Sequence, residues 1–408
     1  MIPYRKIFAY CRLKPMIKLF SGLCLFISTG CTYTPPKQTP APAPQKKDDR
    51  LSCFLQYHES VFKTNLAATG CPGAAMVMVK DTSVVYIKGF GVKEVGSTDS
   101  VDVNTVFRVG SLSKGFTTVL VALLVQKRIL HWEDKVVSYI PTFELKDKEQ
   151  AQRIRIKHIL SHTTGLPRHS LIELIEKGQT MQEMIPKLKR LKLEGKEGEF
   201  FGYQNVAFSM IQEIIFIKTH KTIQQWMQDE IFTKAGMQHA SMSYEELMKE
   251  PNKAQPHEKS NSKEYAAVPI HDKYYNTAAA GGINASITDM GKWLQVLLGN
   301  RPDITPKGSL DYIFTPFIKH EGSNYFDTWS GITQSAYGMG WRILQYHGKK
   351  LICHGGFVNN YRAELAIDPE SRVGVCFLFN AQNYYSGVAV PNFFDMYYMY
   401  EGVGMGDE

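Results

Sequence analysis

The chain is poor in the features that mark metal proteins and nucleic-acid binders. Of its seven cysteines in 408 residues, Cys11, Cys24 and Cys31 fall within the first 31 positions. The remaining Cys53, Cys71, Cys353 and Cys376 are scattered, without the paired spacing of a zinc site. Neither a metal nor a cofactor is expected. The formal net charge is +8, yet residues 1–50 hold nine Lys/Arg against two Asp/Glu, which leaves the rest close to neutral. A near-neutral body gives no electrostatic case for nucleic acid as a partner. No internal repeat is visible. The apolar run at residues 19–27 is too short to span a bilayer stably.

What is present at the start is an export signature. Met16-Ile17-Lys18 followed by residues 19–27 forms a short charged region and an apolar region. The run ends in Ser28-Thr29-Gly30-Cys31, which resembles a bacterial lipobox without the usual leucine three places before the cysteine. Cys31 is the candidate for lipidation. Residues 1–31 thus read as an export signal of lipoprotein type, with Met16 as a candidate true start and an uncleaved membrane anchor as the rival reading. Residues 32–50 contain Thr34-Pro35-Pro36 and Pro40-Ala41-Pro42-Ala43-Pro44, an extended proline-rich tether. The expected location is the bacterial periplasm or cell envelope, with membrane attachment through Cys31. After export Cys53 could pair with Cys71, or Cys353 with Cys376, and sequence does not establish which. Residues 51–408 are long and apolar enough to bury a sizeable core.

The most informative residues are Ser111-Leu112-Ser113-Lys114, at the head of Gly115-Phe116-Thr117-Thr118-Val119-Leu120-Val121-Ala122-Leu123-Leu124-Val125. A helix with almost no polar face is buried on all sides. A spacing of three puts Ser111 and Lys114 on one face, in reach of each other. A dry lysine has its charged form disfavoured and can serve as a base toward the hydroxyl, making Ser111 a candidate nucleophile. The bland alternative is a capping serine followed by an exposed lysine. A second serine-x-x-lysine at Ser260-Asn261-Ser262-Lys263 sits in a polar run that offers no burial.

Order along the chain favours the active reading. Phe200-Phe201-Gly202-Tyr203-Gln204-Asn205 opens an apolar helix-like stretch, and Leu351-Ile352-Cys353-His354-Gly355-Gly356-Phe357 ends an apolar strand-like run. Serine-x-x-lysine, tyrosine-x-asparagine and a basic residue with two small ones, in that order, resemble the three-part signature of serine β-lactamases and penicillin-binding proteins. The likeness is greatest to the class C β-lactamase and D-alanyl-D-alanine carboxypeptidase branch. Decoys exist at Tyr274-Tyr275-Asn276 and His320-Glu321-Gly322, the latter in polar surroundings. Pro72-Gly73-Ala74-Ala75-Met76, His158-Ile159-Leu160-Ser161-His162-Thr163-Thr164-Gly165-Leu166-Pro167, Ala280-Gly281-Gly282 with Thr288-Asp289-Met290, and Tyr337-Gly338-Met339-Gly340-Trp341 extend the resemblance over about residues 52–400.

Acyl transfer needs a nucleophile, a base, a proton donor for the leaving group and donors for the oxyanion. Ser111 would attack, Lys114 would take or hold its proton, and Tyr203 could act as general base and return a proton to the leaving group. Asn205, His354, Gly355 and Gly356 would bind substrate. The resemblance implies an oxyanion hole from the backbone N–H groups of Ser111 and Phe357. His354 replaces the lysine of the β-lactamases' Lys-Thr-Gly, so the third element carries only a part-time cation, with a nominal pKa of about 6.5 shifted by its surroundings. Asn360 stands where relatives tend to have glycine, a minor departure because asparagine tolerates the left-handed conformation. Alternation along the strand sends Cys353 and His354 to opposite faces, which makes Cys353 a core residue.

The expected activity is a serine hydrolase acting through a Ser111 acyl-enzyme on a small-molecule or peptidoglycan-peptide substrate, at a β-lactam, D-amino-acid peptide or ester bond. The alternatives are a carboxypeptidase or esterase without useful β-lactamase activity, and a non-catalytic penicillin-binding-like lipoprotein. Oligomeric state is not readable.

The expected fold is α/β of the α+β kind. A helix is predicted at 52–66 and strands at 74–80 and 84–90, joined by a hairpin at Asp81-Thr82-Ser83. Further strands are predicted at 349–353, 361–367 and 373–379, and a last helix at 391–400. Both chain ends would complete one antiparallel sheet flanked by helices, with a mainly helical subdomain inserted at 105–320.

Overall fold

The computed structural model describes residues 49–260, 264–306, 308–319 and 329–402. The export signal, Cys31 and nearly all of the tether lie outside the described residues. So do Asn261-Ser262-Lys263 of the second serine-x-x-lysine and the whole of His320-Glu321-Gly322.

One antiparallel sheet of eight strands organises the molecule. Its strands are β1 (Gly73–Lys80), β2 (Ser83–Gly91), β3 (Ile318–Lys319), β4 (Ile332–Tyr337), β5 (Arg342–Tyr346), β6 (Lys349–Val358), β7 (Tyr361–Asp368) and β8 (Val373–Phe379), in the spatial order β2-β1-β8-β7-β6-β5-β4-β3. The two chain ends meet in its middle: β1 pairs with β8 from Ala74 opposite Phe379 to Lys80 opposite Val373. Both strands read as unbroken apolar runs because both faces of the sheet are covered, and successive side chains enter different cores. Ala75, Val77 and Val79 face the helical insert, whereas Ala74, Met76 and Met78 face a second, aromatic core.

The aromatic core is closed by α1 (Asp49–Thr69) and the final helix, α6 (Ala389–Glu401). Phe62 stacks on Phe377 with ring centroids 5.7 Å apart, and Phe54 meets Phe393 edge-on at 5.7 Å. The opposite face carries the insert, whose helices include α2 (Ser113–Gln126), α3 (Asn205–Thr219), α4 (Ala278–Gly281) and α5 (Ile287–Leu297). Every α2 residue from Ser113 to Leu124 is buried, in keeping with its missing polar face. A short antiparallel pair, Val106–Arg108 with Asn284–Ser286, ties the two ends of the insert together beside the sheet.

Three features differ from the sequence reading. Strands β4 and β5 extend the sheet beyond the expected set, and β6 runs five residues past Cys353, to Val358. The thiols of Cys71, Cys353 and Cys376 are free and buried, so neither proposed disulfide forms. Cys353 and Cys376 lie on strands separated by β7 and enter different cores. Two strand spacings, roughly 9–10 Å, exceed what a disulfide bridges. Cys71 instead directs its sulfur at the carbonyls of Gly73 and Ala381, at 3.6 and 3.9 Å.

Candidate active site

Ser111 sits at the middle of a single 3-10 turn, Gly110–Leu112, that feeds directly into α2. Its side chain caps nothing; Ser113 ties the turn instead, donating to Gly110 O at 2.7 Å and accepting from Ile283 N at 3.0 Å. One turn on, Lys114 is completely buried. Its Nζ lies 3.1 Å from Ser111 Oγ, 2.8 Å from Asn205 Oδ1 and 2.9 Å from Ala280 O. Two of these neighbours are pure acceptors and the third is a hydroxyl. The amine donates to all three when protonated; in its neutral form, with two hydrogens and one lone pair, it would donate to Asn205 and Ala280 and accept from Ser111. Burial holds the Lys114 pKa well below its ordinary value, and the Arg342 guanidinium lowers it further.

Tyr203 and Asn205 are placed by the start of α3. Gln204 caps that helix by accepting from Val206 N at 2.8 Å, while its amide donates to Ser170 O at 3.0 Å. Asn205 is therefore the first helical residue and faces Lys114, and Tyr203 lies just ahead of the extended cap residue Gln204. The Lys114 Nζ lies 4.8 Å from the Tyr203 ring centre. Burial pushes the Tyr203 phenol up to about 12, with hydrogen bonding to Ser111 and the charge of Arg342 opposing. Behind Tyr203 packs the buried His162 ring, 4.3 Å away between centroids.

Strand β6 forms the other wall. Gly356 passes so close to the nucleophile turn that an added Cβ would lie 2.0 Å from Val109 O and 3.1 Å from Ser111 N. A Cβ on Gly110, at φ +53°, would lie 2.8 Å from Phe357 N. The backbone nitrogens of Ser111 and Phe357 thus lie where the strand and the turn meet, the close approach that an oxyanion hole built from the two would require. At the end of β6, Asn359 and Asn360 both adopt left-handed conformations, φ 47° and 62°, as a two-residue hairpin turn requires.

His354 takes a form other than the expected part-time cation. It is buried, with Nδ1 2.7 Å from Gly355 O and Nε2 3.1 Å from the Tyr337 hydroxyl. The first contact requires Nδ1 to carry the proton, which leaves Nε2 to accept from Tyr337. Burial, and then the charge of Arg342, hold the ring's pKa well below the usual histidine range. A cation of the site that sequence reasoning did not single out is Arg342, a half-buried residue at the start of β5. It follows Trp341 in one of the segments used for the family resemblance, but nothing in that stretch foretold where its charge would act. Tyr274 of the Tyr274-Tyr275-Asn276 decoy also lines the cavity, whereas Asn276 points away and donates to Ile175 O and Gln179 O.

These groups open into a cavity of about 390 Å³ lined by residues of both the sheet and the insert, including Ser111, Tyr203, Asn205, Arg342, His354 and Phe357. Fold and site together define a serine–lysine–tyrosine centre of the type found in serine β-lactamases and penicillin-binding proteins. The family model described as Beta-lactamase matches residues 58–393, and the chain belongs to that family. It is similar to "Unguisins hydrolase ungD'" of Aspergillus campestris (strain IBT 28561), at 25% identity over 334 residues, covering 79% of this chain and 61% of that protein. It is also similar to "Protein flp" of Staphylococcus aureus (strain MW2), at 23% identity over 336 residues, 81% of this chain and 64% of the relative. The matched stretch thus spans less than two thirds of either relative. Among solved structures, the octameric penicillin-binding protein homologue from Pyrococcus abyssi shares the fold, with a TM-score of 0.73 at 23% identity, covering 84% of this chain and 77% of that one.

Proposed function

We propose that the protein is a serine hydrolase that works through a Ser111 acyl-enzyme on a substrate ending in a carboxylate, at a D-amino-acid peptide, β-lactam or ester bond. The observation that carries this reading is the surroundings of Lys114: a fully buried amine within hydrogen-bond distance of Ser111 Oγ, Asn205 Oδ1 and Ala280 O. Ser111 Oγ bonds to the carbonyl carbon while its proton passes to Lys114 Nζ. The carbonyl electrons move to the oxygen, held by the N–H groups of Ser111 and Phe357. Tyr203, kept protonated by burial, gives its proton to the departing nitrogen or oxygen as that bond breaks, and recovers one from Lys114. Water then repeats the sequence in reverse and frees Ser111. Opposed environments for Lys114 and Tyr203 assign base and acid to the pair. Arg342, which lines the cavity, is the cation assigned to the terminal carboxylate in this reading.

The test is to treat the protein with a fluorescent fluorophosphonate or with penicillin and to measure intact mass. A single adduct on Ser111 is expected, together with a loss of nitrophenyl-ester hydrolysis of at least about a thousandfold in Ser111→Ala. No adduct, and hydrolysis unaltered by that substitution, would leave a binding protein on the same fold. Efficient release of terminal D-alanine would select the peptidase, and a nitrocefin rate matching that of small esters would select the β-lactamase.

A further inference from the structure

We infer that the mouth of the cavity holds a second anion site, centred on Arg168, which reads a negatively charged group on the acyl half of the substrate. The inference rests on the proposed acyl-transfer reading and adds a substrate class to it: a molecule with two anionic groups, one on each side of the bond that is cut.

Arg168 lines the same cavity as Ser111 and is exposed at its rim. It is held there. Its Nε donates to Phe201 O at 3.4 Å, and its guanidinium lies 5.4 Å from the Phe201 ring centre. The neighbouring backbone is fastened to the segment bearing Tyr203, through His169 N to Tyr203 O at 2.8 Å and Gln204 Nε2 to Ser170 O at 3.0 Å. Two residues of this loop that are not glycine, His169 and Leu171, sit in left-handed conformations at φ 54° and 62°. Strain of that kind persists where surrounding contacts fix it, and it concentrates at ligand sites. The two terminal nitrogens of Arg168 meet no acceptor, and no carboxylate pairs with it, among the described residues. Arg362, across the cavity, is by contrast bound to Glu364 at 2.6 Å. A guanidinium that lines the cavity and is anchored through Nε suits a carboxylate or phosphate.

The two cations occupy different stations. Arg342 stands at the start of β5 on the sheet wall, and Arg168 on the insert, in the loop joined to the Tyr203 segment. A carboxylate that ends the leaving group beside Arg342 leaves only the open side for the remainder of the substrate. The acyl chain must leave along the rim, where Arg168 stands.

Two depsipeptides separate this from the parent reading: glutaryl-glycyl-D-lactate and valeryl-glycyl-D-lactate, which share the leaving carboxylate and differ in one distal carboxylate. The full-length protein should favour the glutaryl substrate in kcat/KM. Arg168→Ala should lower the glutaryl-to-valeryl ratio by roughly five- to tenfold, Arg168→Lys should retain part of it, and Arg168→Glu should reverse the preference. A ratio untouched by all three variants, or equal losses on both substrates, overturns the second site. Binding of glutaryl-glycine and valeryl-glycine to Ser111→Ala by calorimetry makes the parent reading independent. If no substrate turns over yet the glutaryl preference in binding depends on Arg168, the hydrolase reading fails and the anion site stands.

Discussion

At the scale of single residues, the site disfavours the charged forms of Lys114 and His354. Burial depresses both, and Arg342 adds to each. The base form of Lys114 is therefore held at pH values far below those at which a solvated lysine deprotonates, and activity should fall only when acid finally protonates it. Removing the nearby cation raises the lysine pKa, so Arg342→Gln should move the acid limb of the kcat/KM profile to higher pH. The profile should be taken with a neutral nitrophenyl ester, which removes any part of Arg342 in carboxylate binding. No limb from His354 is expected near pH 6.5, because its two nitrogens are committed to Gly355 and Tyr337. An acid limb that stays in place in Arg342→Gln would show that burial alone sets the lysine.

At the scale of elements, the site depends on how closely strand β6 approaches the turn carrying Ser111. Gly356 is the position that permits it, since a methyl there would meet Val109 O at 2.0 Å. Backbone cannot yield as a flexible side chain can, so Gly356→Ala should push the strand and the turn apart and move the Phe357 N–H off its station. The expected result is a fall in kcat of about a hundredfold for neutral esters, the scale on which an oxyanion donor acts, with a smaller change in KM. A loss confined to KM would assign Gly356 to substrate packing alone. Motifs with strong local context were legible in sequence: the buried run after Ser111, the helix opening at Asn205 and the terminal strands. What was not legible came from tertiary pairing. Strands β4 and β5 have no pattern that outweighs their surroundings. The neutral state of His354 depends on Tyr337, 17 residues away, and on Arg342, whose role arises only when β5 is laid beside β6. The spacing of Cys353 and Cys376 looked open to pairing until β7 was found between them.

At the scale of the whole molecule, chemistry and much of the fold's closure lie on opposite sides of one sheet. The cavity is on the side of the insert; α1 and α6 close the other with an aromatic layer in which His58 is buried, 5.1 Å from the Phe393 ring and 6.3 Å from Phe377 between centroids. Its Nε2 has no partner among the described residues, and burial drops its pKa from 6.5 to about 3. A histidine depressed in the folded state binds its proton more readily when unfolded. Its contribution is intact above pH 6.5 and is lost progressively as pH falls toward about 3. Replacing His58 by leucine keeps an apolar filling and removes that proton uptake. Urea unfolding at pH 7 and pH 4 should then show His58→Leu losing less stability over the interval than the unaltered protein does, by on the order of 3 kcal/mol. Carboxylates titrate over the same range in both proteins, so the difference isolates His58. Ester hydrolysis at pH 7 should be unchanged, since the sheet stands between this layer and Ser111. Equal acid losses in the two proteins would mean that His58 is protonated in the folded state, and that the layer opens to water well before the sheet does.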